Sequence, residues 1–421
     1  MKLLFSILNS IEPKDRLGRN NAASVFLMGA LPSVGGSAIS FLLGIFFVWG
    51  LISLRLRRFE FRMTRSDRLL AWTFTIFAAS VFVTAIIAEN SLKGLPSLIW
   101  LLPFLSPWVI IPRLRASPNV NYLSYLVMGA GVGAIGGLVI GFVQAVGFGS
   151  RPEGGAGNAA IYAIMSLALA AAAGLNINHS DRWRRLLAVA GLTAGLLAMT
   201  LSLTRGVMAA AVPVFLLWLI FSSRRWRLLS GAMTAFGIAA VTSLTLYGAW
   251  DILAARITET TEEIRLVVAN EHTSSIGERL RLWVAGLQVI AESPLWGHGI
   301  QNRMDKVMDV LAKDGLPVHQ FTHVHNGFLS LAIDGGVVVL FAGLAVLAMP
   351  SFVAFRSKGD ADYRRRLFLG IQIGAIYSLC GMTQILFKHD IMDSLFIFWS
   401  IVIASSIPSN DINNIIKLKQ T

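Results

Sequence analysis

Three histidines, His319, His323 and His325, stand directly ahead of a long apolar run that reads NGFLSLAIDGGVVVL from Asn326. Imidazole is the side chain that ordinarily titrates near neutral pH. At the rim of an apolar helix it can be wetted on one side and held on the other. That placement suits proton transfer or contact with an anionic head group. The plainer reading is a set of loop histidines beside a membrane span, so the question is whether the rest of the chain supplies partners.

Candidate partners are few. Arg205, in SLTRGVMAA, falls between two apolar runs with almost no loop around it. Its planar guanidinium fork matches phosphate, although an Arg in this position can also simply mark a helix end by snorkelling. Arg279 opens an amphipathic run, and Arg281, two residues on, points to a different side; either can be a solvated loop charge. Asp334 lies nine residues into the helix expected after His325, roughly 13 Å deep. A carboxylate there needs water, a partner or a proton, or it faces an aqueous cavity without taking part in chemistry. Glu262 and Glu263 are adjacent and would diverge on a helix. No compact carboxylate pair and no set of metal ligands is visible, and no cofactor motif appears. A metal-free mechanism would need arginines to stabilise a diphosphate leaving group. Fixed cations plus an imidazole, next to lipid, fit a substrate that carries phosphate on a lipid tail.

The elements that must position these residues follow from composition. The chain has 421 residues, 55% apolar and 14% charged, with mean hydropathy +0.65. Soluble domains carry about 25% charged residues. Apolar runs here repeatedly reach about 20 residues, the length that crosses a hydrocarbon core. The expected fold is an all-α polytopic membrane protein, a single transmembrane helical domain over 1–421. About twelve spans are expected, near 22–36, 38–54, 69–89, 95–111, 121–147, 158–178, 186–204, 207–222, 228–249, 326–350, 367–387 and 391–407. Pro32, Gly35 and Gly36 mark either a turn between the first two or a kink in one long helix. Gly133, Gly137 and Gly141, four residues apart, read as a close helix-packing face. Cys380 is the single cysteine and has no disulfide partner within the chain.

Charge sets the orientation. Net charge is +13, but the basic residues sit in short loops between apolar runs. That is a topology and lipid-contact pattern rather than a nucleic-acid footprint. With both termini in the cytoplasm, 25 of the 36 Lys and Arg residues fall on the cytoplasmic side. The other side carries one large loop, about 250–325, between spans nine and ten. A connection of that length is usually functional. Within it an amphipathic helix is expected near 279–292, with Leu280, Trp283, Val284, Leu287 and Ile290 on one face, set against the membrane surface or the helix bundle, and Pro294 as the stop. Informative charges crowd one rim, whereas a lipid or polysaccharide transporter places its substrate near the bilayer midplane.

Three motifs bring a family into view. His325-Asn326, nine residues and then Gly336 resemble the His-Asn-x9-Gly pattern of the bacterial O-antigen ligase and O-antigen polymerase superfamily; three residues after that Gly the family has Gly, Thr or Tyr, and here Val339 stands. Arg279 and Trp283, then Pro294, Gly297 and Gly299, are similar to its Arg-x3-Trp and Pro-x2-Gly-x-Gly segments. Thr204-Arg205-Gly206 resembles its Ser-Arg-Gly. The likeness covers about 200–345. It implies a GT-C-like, inverting, metal-independent glycosyltransferase of the inner membrane, with its large loop and active site periplasmic. The donor it implies is a glycan on undecaprenyl diphosphate. For a ligase, the acceptor is lipid A–core in lipopolysaccharide biosynthesis. A polymerase extending the carrier-linked glycan and a protein O-oligosaccharyltransferase are the alternatives. The resemblance carries an essential His onto His325 and diphosphate-binding arginines onto Arg205 and Arg279. His323, Asn326, Asp334 and Arg281 are further candidates. A single long outer loop and a basic chain favour the ligase.

Overall fold

The computed structural model of the protein describes residues 15–89, 92–222, 258, 261–263, 265, 275–313 and 321–408. His319, the expected span at 228–249 and most of the polar part of the large loop lie outside them. In lipid an apolar segment can satisfy its backbone groups only within a helix or a closed barrel, and no strand occurs among the described residues. Helix α1 (Arg16–Ala30) leads through a turn at 31–37 into α2 (Ala38–Arg55), so Pro32, Gly35 and Gly36 mark a turn between two helices. There follow α3 (Arg65–Glu89) and a tight 3₁₀ segment (Leu92–Leu105) that continues into α4 (Pro107–Arg115). Next come α5 (Tyr122–Phe142), α6 (Ala159–Ala173), α7 (Arg182–Leu201) and α8 (Arg205–Ser222). Two loop helices, α9 (Ser275–Glu292) and α10 (Arg303–Ala312), precede α11 (Gly327–Phe355), α12 (Tyr363–Gly381) and α13 (Asp390–Ser405). Among the described residues, seven helical stretches are long and apolar enough to cross a membrane, and Arg205–Trp218 is a shorter apolar helix.

Helix α13 is the axis of the bundle: every residue from Ile391 to Ala404 is buried. Around it, Phe396 meets Phe74, Tyr377 and Phe387 at ring separations of 4.8–6.2 Å. The glycines of α5 do what their spacing predicts. Gly133 faces the Ala30 backbone of α1, and Gly137 faces Ser33, with no room for a side chain. Removing the side chain lets the two backbones approach.

The helix ends sort into two sets. At one end the α5–α6 loop, the α7–α8 turn, the starts of α8 and α11 and the α12–α13 loop touch one another. Arg151 bonds to Ser202, Thr204 bonds to the Ala159 carbonyl, Gly206 abuts Thr383, and Gly327 abuts Leu386. At the opposite end Arg115 reaches the last carbonyls of α13, Arg366 reaches Ser406, and Asn121 bonds to Asp362. The 382–389 loop is therefore a shared floor beneath the start of α8 and the start of α11.

Candidate active site

The first wall is the turn into α8. Leu203 takes a left-handed backbone (φ 54°), and the flanking hydroxyls hold the turn. Ser202 Oγ donates to the Met199 carbonyl (2.6 Å) and lies 3.0 Å from Thr204 Oγ1, and Thr204 Oγ1 donates to the Ala159 carbonyl (3.3 Å). Thr in place of Ser keeps the hydroxyl this anchoring needs. Arg205 then opens α8 with its guanidinium 37% exposed, facing Glu263 at 3.2 and 3.4 Å.

Away from the cavity, the loop is joined to a broken helix. Inside α11, Gly335 (φ −144°, ψ 23°) and Gly336 (φ 63°, ψ −159°) leave the helical region. The Gly336 conformation is essentially restricted to glycine, and a Cβ there would run into the Leu295 carbonyl. The interruption exposes backbone groups that the 294–299 segment takes up. The His298 and Gly299 N–H groups donate to the Ile333 and Asp334 carbonyls (2.8 and 3.0 Å), and the Val337 N–H donates to the Pro294 carbonyl (2.8 Å). The Pro-x2-Gly-x-Gly segment and the last glycine of His-Asn-x9-Gly are thus two halves of one contact. Buried beside it, Arg303 Nη1 meets Asp334 Oδ2 at 2.9 Å.

The histidines sit at the head of α11. Asn326 is the helix cap, its Oδ1 accepting from the Phe328 and Leu329 N–H groups (3.0 and 3.1 Å). This contact supplies orphan donors of the first turn. His325, just before the cap, is left-handed (φ 52°), which is uncommon for a residue with a Cβ. Trp283 of α9 donates its indole N–H to the Val324 carbonyl (3.1 Å), tying the His325 strand to the helix that carries Arg279. The His325 ring stands edge-on to Phe321 (5.7 Å) and 4.2 Å from the His323 ring. His325 Nδ1 and His323 Nε2 are buried with no hydrogen-bond partner among the described residues.

Electrostatics link these pieces. Burial, reinforced by the Arg279 charge, holds His325 below the usual imidazole range. Burial, then His325, Arg303 and Arg279, push His323 down to about 4. Both rings are therefore neutral at pH 7. Burial and the neighbouring Arg205 charge lower Arg279, and Glu263 opposes that shift. Arg205 and Arg279 share one cavity of about 640 Å3 with Glu263, Arg151, Glu153, Asn158, Thr204, Thr383 and Gln384. A larger cavity, about 990 Å3, lies at the opposite end, but its Arg115 and Arg366 are tied to carboxylates and helix carbonyls. The smaller one is the cavity that holds Arg205 and Arg279 together.

The structure brings Arg205, Arg279, Glu263 and the His323–His325 pair to one end of the bundle. His325 adjoins Arg279 without forming part of the cavity wall, and Arg281 is not among the lining residues either. Asp334 has a partner in Arg303 and does not reach the cavity. Among the described residues no group of three or more His, Cys, Asp or Glu side chains converges, so His323 and His325 have no further metal ligand beside them there. Of the two directions open to the apolar stripe of α9, Val284 and Leu287 turn outward, each 57% exposed, while Leu282, Ala285 and Val289 are buried against Val307, Val324 and Ile333. With Leu295 and Trp296 also exposed, the outer apolar ridge suits a membrane interface. Sequence reasoning missed Glu263, Arg151 and Arg303. Only Asp334 gave a signal, since a buried carboxylate demands a cation.

A multi-helix bundle with arginines lining a helix-end cavity and a pair of imidazoles at the same end defines a multi-pass membrane protein with a polar terminal site. The O-antigen ligase family model matches residues 187–344, a stretch holding Arg205, Glu263, Arg279 and His325, and this domain places that part of the chain in the O-antigen ligase superfamily. No curated protein sequence matches the chain.

Proposed function

We propose that the protein is an O-antigen ligase, which moves a glycan from undecaprenyl diphosphate to the lipid A–core on the periplasmic face of the inner membrane. The observation that carries this reading is the shared cavity. Two arginines flank one carboxylate in it, next to a pair of neutral imidazoles, within the stretch that matches the family.

The donor diphosphate lies against Arg205 and Arg279, and its polyprenyl tail leaves between helices. His325, as neutral imidazole, takes the proton of the acceptor hydroxyl. The hydroxyl oxygen bonds to the anomeric carbon as the bond from that carbon to the phosphate oxygen breaks. The diphosphate departs with the electron pair, and the anomeric centre inverts. Arginine forks stabilise that developing charge. Lowered affinity of the His325 ring for a proton keeps it an acceptor at neutral pH.

The test is glycan transfer by the purified protein in detergent, with a lipid-linked donor and a core acceptor. Transfer to the core supports a ligase. Growth of the glycan on the carrier without core acceptor would identify a polymerase, and transfer to a protein acceptor alone an oligosaccharyltransferase. Absence of any released carrier diphosphate would place the chain among transporters.

A further inference from the structure

Glu263 marks where an oxyanion sits. Its carboxylate meets both terminal nitrogens of Arg205, and its charge reaches Arg279. A phosphoryl group would occupy the same point, since it presents the same kind of oxygen to the same fork. A diphosphate carries a second phosphoryl group, which needs a further cation on the same wall. Arg151 is there. It comes from the α5–α6 loop, outside the stretch that matches the family. Its Nε donates to the Ser202 carbonyl (2.8 Å) and its Nη2 to Thr204 Oγ1 (3.1 Å). Those residues form the turn that delivers Arg205, so the positions of the two guanidinium groups are coupled through one backbone segment. These two contacts orient the fork.

We propose that Arg151 joins Arg205 and Arg279 as the third arginine of a diphosphate seat, and that Glu263 holds this seat until the ligand displaces it. The inference rests on Arg205 and Arg279 binding phosphate; it does not depend on which acceptor receives the glycan. Its chemical consequence is selectivity: three arginines discriminate a diphosphate from a monophosphate, and two do so less well.

The experiment measures binding of undecaprenyl diphosphate and undecaprenyl monophosphate to the full-length protein in detergent, with no glycan and no acceptor. Wild type prefers the diphosphate. Arg151→Gln weakens the diphosphate about ten-fold and leaves the monophosphate within about two-fold, the effect of removing one charge-assisted contact. Glu263→Gln tightens both lipids, because the competing carboxylate charge is gone. Arg205→Ala weakens both. Unchanged selectivity in Arg151→Gln, equal weakening of both lipids in it, or weaker binding by Glu263→Gln would overturn the seat. Should the glutamine variant fail to accumulate, Arg151→Lys decides: it keeps charge and loses the fork, so a selectivity equal to wild type counts against the proposal. If Arg205→Ala binds both lipids as wild type does, the underlying phosphate assignment falls, and the seat falls with it.

Discussion

Both ends of the bundle are rich in arginine, and they employ it differently. At the opposite end Arg115 holds Asp67 through two bonds (2.5 and 2.9 Å) and also donates to the Ala404 and Ile407 carbonyls. Arg366, with its side chain 1% exposed, is paired with Asp360 and donates to the Ser357 and Ser406 carbonyls. These cations close the C-terminus of α13, where a positive charge is favourable. At the cavity end Arg205 keeps over a third of its side chain exposed and meets Glu263 at longer range. Density of arginine alone therefore does not single out either end. What separates them is that Arg205 faces the cavity across the Glu263 carboxylate.

The sharpest way to break this contrast is to remove one arginine from each end. Arg205→Ala and His325→Ala are expected to lower glycan transfer by about 10² to 10³ or more, with the melting temperature in detergent unchanged for His325→Ala and lowered less by Arg205→Ala than by Arg366→Ala, since Arg205 is over a third exposed and Arg366 is buried. Arg366→Ala should do the reverse in kind, losing about 3–5 kcal/mol because Asp360 is left without its partner. Comparable melting losses for Arg205→Ala and Arg366→Ala would erase the distinction. Next in size is Gly336→Ala, at about 1–3 kcal/mol for the strained backbone. The clash with the Leu295 carbonyl adds to this, and limited proteolysis near 294–299 should report the loosened joint. The smallest effect is a pH shift. Burial and the Arg279 charge hold His325 below the usual imidazole value of about 6.5, so kcat/KM should climb with pH on an acid limb whose midpoint lies below 6.5. Arg279→Gln removes one cause of the lowering, and the acid limb should then move upward. A wild-type limb above 6.5 contradicts the base role.

The helices were legible because their signal is long-range apolar content, and the α5 glycines because packing needs small residues at helical spacing. The face of α9 was not. In a soluble protein the stripe through Val284 and Leu287 would be the buried one. Beside lipid, apolar residues serve outward as well, and the inward face here is the smaller one with Ala285 and Gly286. Arg205 and Arg279 could be singled out by the motifs. Glu263 could not, because beside Glu262 it reads as one of two solvated charges, and its burial depends on a partner 58 residues away. Arg303 and Asp334 are likewise 31 residues apart. No local pattern reports such pairs.

The interruption at Gly335–Gly336 also makes the preceding half-helix a ruler. Its lower end is pinned by two main-chain bonds, from the His298 and Gly299 N–H groups to the Ile333 and Asp334 carbonyls, and its upper end carries the Asn326 cap and His325. An α-helix turns about 100° and rises about 1.5 Å per residue. Adding or deleting a single position between Gly327 and Asp334 would therefore swing the imidazole about a quarter-turn away from Arg279 while leaving composition and hydropathy untouched. Length alone, in that one stretch, keeps the two in register.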